Sequence, residues 1–467
     1  MRILQVVHGF PPEVAGGTER YVELITRELA ARGHELSVIA GSIDWSERLT
    51  VDTTQHAGVP VTRIHRNDLY FDFWDKSYHP RVEAIYEQLL RDAQPEVVHV
   101  HHWVRLTSTL ARTAARLGSA VVATLHDLYV TCPRVFRVRD QDLLCDEPMG
   151  VRACVPCVPR WRFQSDAEIE DSVRFYMDEV RREIEAVRLC FAPSQSHADT
   201  LLRFQPALSG KLRVLPHPRT SALVAAAPRA RGARLCIGAW SHLTPLKGVH
   251  VLLEAVRRAQ HADQLDVHIL GESFLPDYQR RLDQLAAGLH VTFHGKYQPH
   301  QLADLGLDLA VIPTLARESY SFILDEAAEL GLPILSADGG ALRERATERV
   351  LLFRRGDVQD LARQLDLLFD SPQLLQRMRA AAGPRIMPVV DHVARLLGHY
   401  DEALALPAPE PEAVGREHLV HAFEQREAGF RELVRSEKWE DVVAEQNEII
   451  KRLTGELEAA RRPPGER

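Results

Sequence analysis

The segment that most constrains the fold of this chain is residues 308–336, DLAVIPTLARESYSFILDEAAELGLPILS. It starts with an apolar run of strand length at 308–313. Apolar residues then recur at helical spacing over 321–330, and Gly331 and Pro333 act as stop signals before a second strand. A strand, a helix and a strand in this order predict a parallel α/β sheet, which binds ligands at the carboxyl ends of its strands.

Two carboxylates flank the loop of this segment. Glu318 precedes the predicted helix and Glu326 lies inside it. Because backbone N–H groups at a helix N-terminus favour anions, residues 319–322 are candidates to bind a phosphate. The two carboxylates are candidates to accept hydrogen bonds from sugar or ribose hydroxyls. The alternative is an ordinary solvated loop acid and a helix acid that lies near an N-terminus.

Strands alternate with helices along most of the chain. Further strands are predicted at 2–8, 35–40, 96–101, 120–125, 234–238, 266–270 and 291–294. The helix over 18–31 is expected to have Thr18 as its N-cap and to stop at Gly33. The alternation predicts an α/β fold with two doubly wound, Rossmann-like domains that face each other across a cleft.

Shifts in composition mark the domain boundaries of this 467-residue chain, which is too long for one core. We predict an N-terminal domain over 1–216 and a linker rich in Ala, Pro and Arg over 217–233. A second domain follows over 234–405. Residues 406–467 are expected to form a Pro-rich linker and a helical tail.

The tail carries five apolar residues and one glutamine at the spacing of a coiled-coil seam. These residues are Trp439, Val443, Gln446, Ile450, Leu453 and Leu457. One interpretation is a dimerisation or partner-docking helix over 414–462. The other is a helix that packs back on its own domain.

Charge and hydropathy restrict the partners and the location of the protein. The net charge of -8 argues against a nucleic-acid partner, which usually requires a basic face. No run of eighteen apolar residues predicts a membrane-spanning helix, and MRILQVVHGFPP resembles a first strand more than a signal peptide. We therefore expect a cytoplasmic protein, with any membrane association a peripheral contact at the cytoplasmic face.

An aromatic segment offers one surface for an acceptor or a membrane. Its residues are Tyr70, Phe71, Phe73, Trp74 and Tyr78. Core packing under a loop is the interpretation that we favour for this segment.

The ordered set of motifs resembles the retaining glycosyltransferases of family 4, which have the GT-B fold. The matching pieces are RILQVVH, Gly16-Gly17, VVHVHHW, TLHDLYVTCPR, FAPSQSHADTL, WSHLTPLKGVHVLLEA and the Glu318 to Glu326 segment followed by AAELGLPILSADGG. The resemblance covers about residues 1–405. It implies a retaining glycosyltransferase that uses a nucleotide sugar of the UDP or GDP type, with the first domain on the acceptor side and the second on the nucleotide-sugar side.

Lys247 is the cation that the resemblance assigns to the donor phosphate. It precedes Gly248 at the start of a predicted helix over 249–258, so backbone donors lie beside it. The family usually has an arginine five residues earlier, whereas this chain has His242. Histidine is shorter and is charged only near or below its ordinary pKa, so this difference puts the donor phosphate contact in doubt.

The resemblance also assigns the remaining site residues. The donor-binding set consists of Gly16, Gly17, His242, Gly271, Lys296, Ser319, Tyr320, Ser321, Phe322 and Glu326. The residues expected to act in sugar transfer are His126, Lys247 and Glu318.

Histidines gather at the ends of two predicted strands of the first domain. The resemblance implies that His126, followed by Asp127, reaches the donor sugar across the cleft, while a structural histidine is the alternative. His99, His101 and His102 alternate along a strand and are interpreted as strand residues first.

The sequence has no convincing Asp-x-Asp metal motif, so no catalytic metal is expected. The resemblance implies substitution on the same face of the sugar, with a leaving-group oxygen taking the acceptor proton. Expected acceptors are a glycan, a lipid-linked molecule or a small molecule, within polysaccharide, glycan or glycoconjugate synthesis. A non-catalytic GT-B partner subunit with an altered donor site is the main alternative; a phosphorylase or an epimerase is a third.

Four of the six cysteines fall in a Pro-punctuated insertion over about 128–165, namely Cys132, Cys145, Cys154 and Cys157. In a cytoplasmic protein this spacing suggests a structural zinc site that staples a loop with little core of its own. An iron–sulfur cluster and four free thiols are the alternatives. Cys190 and Cys236 are interpreted as buried strand residues.

Overall fold

The computed structural model describes residues 1–409 except 15, 45, 47, 67, 69–73, 75–76, 140–143, 161–163, 222 and 224–233, and also 417, 419–421 and 423–424. The predicted heptad seam and most of the predicted linker lie outside these residues. Both sheets belong to one compact unit, Met1–Ser77 with Val82–Pro411. In the part of the chain described, no helix is both long enough and apolar enough to span a membrane.

The first sheet contains eight strands within the described residues. They are β1 (Arg2–Val7), β2 (Glu35–Gly41), β3 (Thr50–His56), β4 (Val59–His65), β5 (Val97–Val100), β6 (Ala120–Thr124), β7 (Leu189–Ala192) and β8 (Leu212–Val214). Their order is β3-β4-β2-β1-β5-β6-β7-β8. All neighbours are parallel except β3 and β4, which form an antiparallel hairpin at the edge.

Helices cover this sheet on both faces. They are α1 (Gly17–Ala31), α2 (Pro80–Ala93), α3 (Leu110–Arg116), α5 (Asp166–Ala186) and α6 (Gln195–Phe204), while the short α4 (Val151–Cys154) packs on α5 in the cysteine-rich insertion.

The second sheet has six parallel strands within the described residues. They are β9 (Leu235–Trp240), β10 (Leu265–Leu270), β11 (Val291–Phe293), β12 (Leu309–Ile312), β13 (Ile334–Ala337) and β14 (Val350–Phe353), in the order β11-β10-β9-β12-β13-β14. Its helices are α7 (Val249–Arg258), α8 (Pro276–Ala286), α9 (Phe322–Glu329), α10 (Gly340–Glu344), α11 (Val358–Asp370) and α12 (Pro372–Ala380). The prediction of two parallel α/β domains is confirmed, and each predicted strand is present within two residues of its expected ends.

The helix α13 (Val389–Ala405) returns from the second half of the chain to the first sheet. Its buried side chains Val393, Leu396 and Tyr400 lie in one apolar cluster with residues of β1 and α1. Tyr400 also shares a hydrogen bond of 2.8 Å with His99 on β5. Although this helix falls in the range 234–405 predicted for the second domain, its packing joins it to the first.

Two local features differ from the prediction. The hairpin of β3 and β4 was missed because β3, TVDTTQH, is polar and exposed along most of its length and shows no apolar alternation. The predicted N-cap at Thr18 is wrong, because α1 begins at Gly17 and the extended residue Gly16 occupies the cap position.

The aromatic segment can be assessed only in part, since Tyr70, Phe71 and Phe73 lie outside the described residues. Trp74 is buried in a small cluster with Val158 and residues of α5, and its indole N–H donates to the carbonyl of Pro159 at 2.9 Å. For Trp74, core packing is therefore the observed arrangement.

Candidate active site

Lys247 and Glu318 form the centre of the site at the carboxyl ends of β9 and β12. The Lys247 ammonium lies 2.8 Å from a Glu318 oxygen, which also accepts from Thr314 at 2.9 Å. Burial disfavours the charged form of Glu318, but Lys247 and the hydrogen bonds outweigh it, so the pKa of Glu318 lies below its ordinary value. Glu318 is therefore ionised at neutral pH, and the Lys247 side chain is 32% exposed and accessible to a ligand.

Gly248 fixes the position of Lys247. Its φ of 71° lies in the left-handed region, and a Cβ atom there would lie 1.9 Å from the carbonyl oxygen of Pro313. Only glycine allows the lysine loop to pack this closely on the end of β12. The close packing brings Lys247 against the loop that carries Glu318.

The helix α9 begins directly after the Glu318 loop. Ser321 is its N-cap, with a positive φ of 76°, and its side chain accepts from the amide of Leu324 at 3.3 Å. Within the described residues, the amides of Ser319, Tyr320, Ser321 and Phe322 donate no hydrogen bond. Four free donors at a helix N-terminus beside a lysine form a site suited to an anion.

Glu326 faces the same region from the second turn of α9. One of its oxygens accepts from the indole N–H of Trp240, at the end of β9, at 2.7 Å. Burial raises the pKa of Glu326 to about 7, against the opposing effects of the Trp240 hydrogen bond and the charge of Arg20. This carboxyl group therefore titrates close to neutral pH.

Arg20 is a site residue that the sequence reasoning missed. It lies in the first turn of α1, in the first domain, yet its charge acts on the pKa values of His242, Tyr297 and Glu326 in the second domain. Among the described residues its guanidinium has no hydrogen-bond or ion-pair partner. Only the tertiary fold brings this cation close to the second domain. Its one signal in the sequence is its position just after Gly16-Gly17.

His242 does not replace the charge of the arginine expected at its position. Desolvation, together with the charge of Lys247, lowers the pKa of His242 below its ordinary value. The imidazole is therefore neutral at physiological pH. Lys247 and Arg20 are the cations whose charges lower the pKa of His242.

Gly271 and Lys296 follow β10 and β11. Gly271 has a φ of 131°, and a Cβ atom there would lie 1.8 Å from the carbonyl oxygen of Ser241. Its amide donates to the carbonyl of Gly295 at 2.8 Å, so close packing of the backbone requires glycine here. The side chain of Lys296 is exposed, next to the half-buried Tyr297.

Gly16 and Gly17 lie where the two domains meet. A Cβ atom on Gly17 would lie 3.1 Å from the ring of Phe322 in α9, and the same ring stacks on His217 at 5.5 Å. Across the same junction, the Ser194 hydroxyl donates to the carbonyl of Ser319 at 2.7 Å. The N-termini of α1 and α9 are therefore close together.

His126 lies in a buried chain of imidazoles at this junction. Its Nε2 is 3.2 Å from Nδ1 of His101, and its Nδ1 is 3.2 Å from Nε2 of His217. Burial lowers the pKa of His126 to about 3, so the ring is neutral. Both ring nitrogens are already engaged, so the ring contacts a sugar only if one of these bonds opens.

The neighbouring polar groups hold this end of the first sheet in place. His102 is hydrogen-bonded to Asp127 at 3.2 Å, and Asp127 also accepts from the amide of Tyr129. His99 is buried between Thr124 and Tyr400, so it is a core residue, as predicted for the strand histidines.

The four cysteines of the insertion gather around Cys154. The thiols of Cys145 and Cys157 influence its pKa, and Cys154 in turn influences that of Cys132, which burial raises to about 11. In the described residues, however, no three of these sulfur atoms lie within 4.8 Å of one another. Thiolates bound to one zinc ion lie about 3.8 Å apart. Four thiols are suitable ligands for zinc, but these sulfur atoms lie farther apart than in an occupied zinc site.

The insertion also contacts the loop between β12 and α9, residues 313–321, which carries Glu318 (the donor loop). Asp146, next to Cys145, is paired with Arg317 at 2.7 Å and with Arg203 at 3.2 Å. Arg317 immediately precedes Glu318. The cysteine-rich insertion is therefore linked directly to the loop that positions Glu318.

Two family models match the chain. Residues 15–219 match "Glycosyltransferase Family 4", and residues 233–371 match "Glycosyl transferases group 1". A D-inositol 3-phosphate glycosyltransferase from Frankia alni is 26% identical, over 79% of this chain and 89% of its own length. A glycogen synthase from Mycobacterium tuberculosis is 24% identical, over 83% of this chain and 90% of its own.

Solved structures agree on the fold. Sucrose-phosphate synthase from Thermosynechococcus elongatus superposes with a TM-score of 0.62 at 16% identity, covering 87% of this chain and all of that one. Anabaena Alr3699/HepE in complex with UDP and glucose has a TM-score of 0.59 at 16% identity, covering 86% of this chain and 99% of that one. The chain therefore belongs to the glycosyltransferases with the GT-B fold, with a family 4 domain followed by a group 1 domain.

Proposed function

We propose that this glycosyltransferase moves a sugar, with retention of configuration, from a nucleotide sugar to an acceptor hydroxyl and needs no catalytic metal ion. The observation that carries the proposal is the Lys247–Glu318 pair beside the four free amides of residues 319–322. A cation and helix-end donors next to a carboxylate can bind a diphosphate and a sugar hydroxyl at once.

In the proposed reaction, the bond from the anomeric carbon to the diphosphate breaks and a bond to the acceptor oxygen forms on the same face. The acceptor proton passes to an oxygen of the leaving diphosphate. Lys247 and the amides at the start of α9 stabilise the charge that develops on this leaving group. Glu318 orients the sugar through its hydroxyls, and Glu326 accepts from the ribose hydroxyls.

The donor site is tested by calorimetric titration of the purified protein with UDP, GDP, ADP and their glucose or mannose derivatives. Micromolar binding of one nucleotide class is expected, and Lys247→Ala should weaken it at least about tenfold, because a charge-assisted contact is lost. Lys211→Ala is the matched control, since that lysine donates to the carbonyls of Ile184 and Glu185, away from the donor loop. Absence of binding to the whole panel would contradict the proposal.

Arg20 is expected to act as a second donor cation, in place of the arginine that this chain lacks at position 242. Arg20→Ala should weaken binding of the preferred nucleotide sugar by about 10- to 100-fold, since hydrogen bonds to charged groups contribute about 1.5–3 kcal/mol. Arg27→Ala, which removes an exposed arginine from the same helix, should leave the affinity unchanged. Equal affinities of the two variants would exclude a role for Arg20 in donor binding.

Donor affinity should depend on pH through Glu326. Its ionised form is the better acceptor for ribose hydroxyls, and it is lost as the pH falls through about 7. Binding of the nucleotide sugar should therefore weaken about tenfold from pH 8 to pH 6. The nucleotide sugar carries no phosphate that titrates in this pH range. The affinity of Glu326→Gln should therefore not change between pH 6 and pH 8. An affinity that still changes with pH in this variant would assign the titration to another group.

For the acceptor, we propose a hydroxyl of a glycan, a lipid-linked molecule or a small molecule, within glycan or glycoconjugate synthesis. The names of the curated relatives support this range, because one is an inositol phosphate glycosyltransferase and another is a glycogen synthase. Retention can be checked by the anomeric coupling constant of the product in NMR. An inverted product would overturn the same-face mechanism.

We also propose that the insertion cysteines bind a structural zinc ion that stabilises the link from Asp146 to Arg317. Cys154→Ser should lose one metal ion per chain, measured by elemental analysis, and the insertion should become more sensitive to protease. Cys190→Ser, in the core of the first domain, is the control that should keep the metal. Unchanged metal content in Cys154→Ser would reject this site.

A non-catalytic partner subunit is the second candidate, and the neutral His242 favours it. In that case, nucleotide binding is weak or absent, and the tail beyond residue 411 binds a second protein. Deleting residues 412–467 separates the two candidates. The deletion should leave donor affinity intact for an enzyme, whereas for a subunit it should change the mass of the assembly in solution.

A further inference from the structure

A cluster of metal-ligating side chains other than the insertion cysteines lies on β9 and β10 of the second sheet. The register of β9 and β10 pairs Cys236 with Asp266, and His268 follows two residues along the same strand. Neighbours in register and residues two apart share one face of a sheet, so all three side chains point the same way. Cys236 was predicted to be buried, and the structure shows it half-buried.

The ligand atoms of these three side chains converge. One ligand atom from each of Cys236, Asp266 and His268 lies within 4.8 Å of the other two. In the described part of the chain, no other three His, Cys, Asp or Glu side chains come this close together. The His268 Nε2 lies 3.7 Å from an Asp266 oxygen, too far for a hydrogen bond. Nitrogen and oxygen ligands on one tetrahedral zinc ion lie about 3.4 Å apart, close to this spacing.

His294, at the end of β11, orients the imidazole of His268. Its Nε2 lies 2.8 Å from Nδ1 of His268. When His268 donates this hydrogen bond from Nδ1, its Nε2 keeps a free lone pair directed towards Asp266. Metal-binding histidines commonly have this arrangement, with the second ring nitrogen bonded to a partner that fixes the tautomer.

We propose that Cys236, Asp266 and His268 bind one zinc ion that joins β9 to β10. A thiolate, an imidazole and a carboxylate suit zinc, and three protein ligands leave a fourth position for water. The site is separate from the donor site, because Cys236 and Asp266 lie near the amino ends of their strands whereas donors bind at the carboxyl ends. The inference does not rest on the proposed function.

The test uses the full chain, with any affinity tag removed and bound metal stripped by a chelator. It is performed on a Cys154→Ser, Cys157→Ser background, so that the insertion cysteines do not form a competing site. Titration with Co²⁺ should then give one ion per chain, a visible absorption spectrum of tetrahedral cobalt and a thiolate charge-transfer band. Zn²⁺ should displace the cobalt.

Variants assign the ligands. Cys236→Ser should abolish the charge-transfer band, and His268→Gln and Asp266→Asn should weaken Co²⁺ binding by more than about 100-fold. His294→Gln should weaken binding by about 10- to 100-fold, the usual effect of losing an orienting partner. The control Cys190→Ser should bind as the background does, and thermal unfolding should show that every variant is folded.

Two results would overturn the proposal. One is that the background protein binds no cobalt at micromolar concentration. The other is a thiolate band that survives Cys236→Ser, which would assign the metal to other residues. Nucleotide-sugar binding should also be measured in the same preparations. If it is intact when the metal site fails, the proposed function stands independently of the zinc site.

Discussion

Replacing Glu318 with glutamine is expected to lower the rate of sugar transfer by about 100- to 1000-fold, the usual effect of removing a preorganised polar group from a transition state. Glutamine keeps the size of the side chain, but it removes the charge that holds the Lys247 ammonium at 2.8 Å. The lysine then loses its orientation at the leaving diphosphate. The rate is measured as release of nucleoside diphosphate from the donor identified by calorimetry, with and without acceptors.

Glu329→Gln is the matched control for this variant. Glu329 is another carboxylate of α9, but its partners are Arg219, the hydroxyl of Ser221 and the amide of Leu223 rather than Lys247. Its replacement should reduce stability and leave the transfer rate within about threefold. A comparable loss of rate in both variants would show that Glu318 acts through the fold of α9 rather than on the sugar.

The second large effect is expected for Gly248→Ala, which should lower the free energy of unfolding by about 3 kcal/mol or more. The left-handed backbone alone costs an L-residue about 1–2 kcal/mol. The new Cβ would also lie 1.9 Å from the Pro313 carbonyl oxygen, so the backbone must shift. Because that shift moves the loop of Lys247, donor affinity should fall as well.

Gly288→Ala separates the two contributions. Gly288 has a similar φ of 79°, but a Cβ atom there meets nothing within 4 Å. Urea unfolding of this variant should therefore show only the backbone cost, about 1–2 kcal/mol, with donor affinity unchanged. Equal destabilisation by the two substitutions would mean that the contact with Pro313 relaxes at no cost.

Much of the fold was predictable because parallel sheets have a strong local signal. A strand such as β12, LAVI, is buried on both faces, so it is a continuous apolar run in the sequence, and in β1, RILQVV, only Gln5 interrupts the buried apolar residues. Lys247 and Glu318 lie in the loops that follow β9 and β12, and the family resemblance assigned their roles. Since the strands are parallel, their following loops must meet at one edge.

The parts that escaped prediction depend on contacts between distant segments. Arg20 is an ordinary helix arginine in the sequence, and only the approach of α1 to α9 brings its charge to Glu326. The same holds for His126, whose ring nitrogens are engaged by two other histidines, one of them His217 from the chain between the domains. His101 and His126 follow neighbouring strands of the first sheet, but the contacts of Arg20 and His217 join distant segments, so no local sequence pattern predicts them.

The sequence by itself determined the two α/β domains and the strands whose following loops carry Lys247 and Glu318, because hydrophobic periodicity is a local property. The candidate roles of these two residues came from the family resemblance. The tertiary structure decided how the sites are completed. It brought the charge of Arg20 within range of Glu326, packed α13 on the first sheet and brought Cys236, Asp266 and His268 together. Electrostatic interactions and metal coordination require groups to lie within a few ångströms of one another. When those groups come from separate strands or domains, only tertiary packing sets the distances between them.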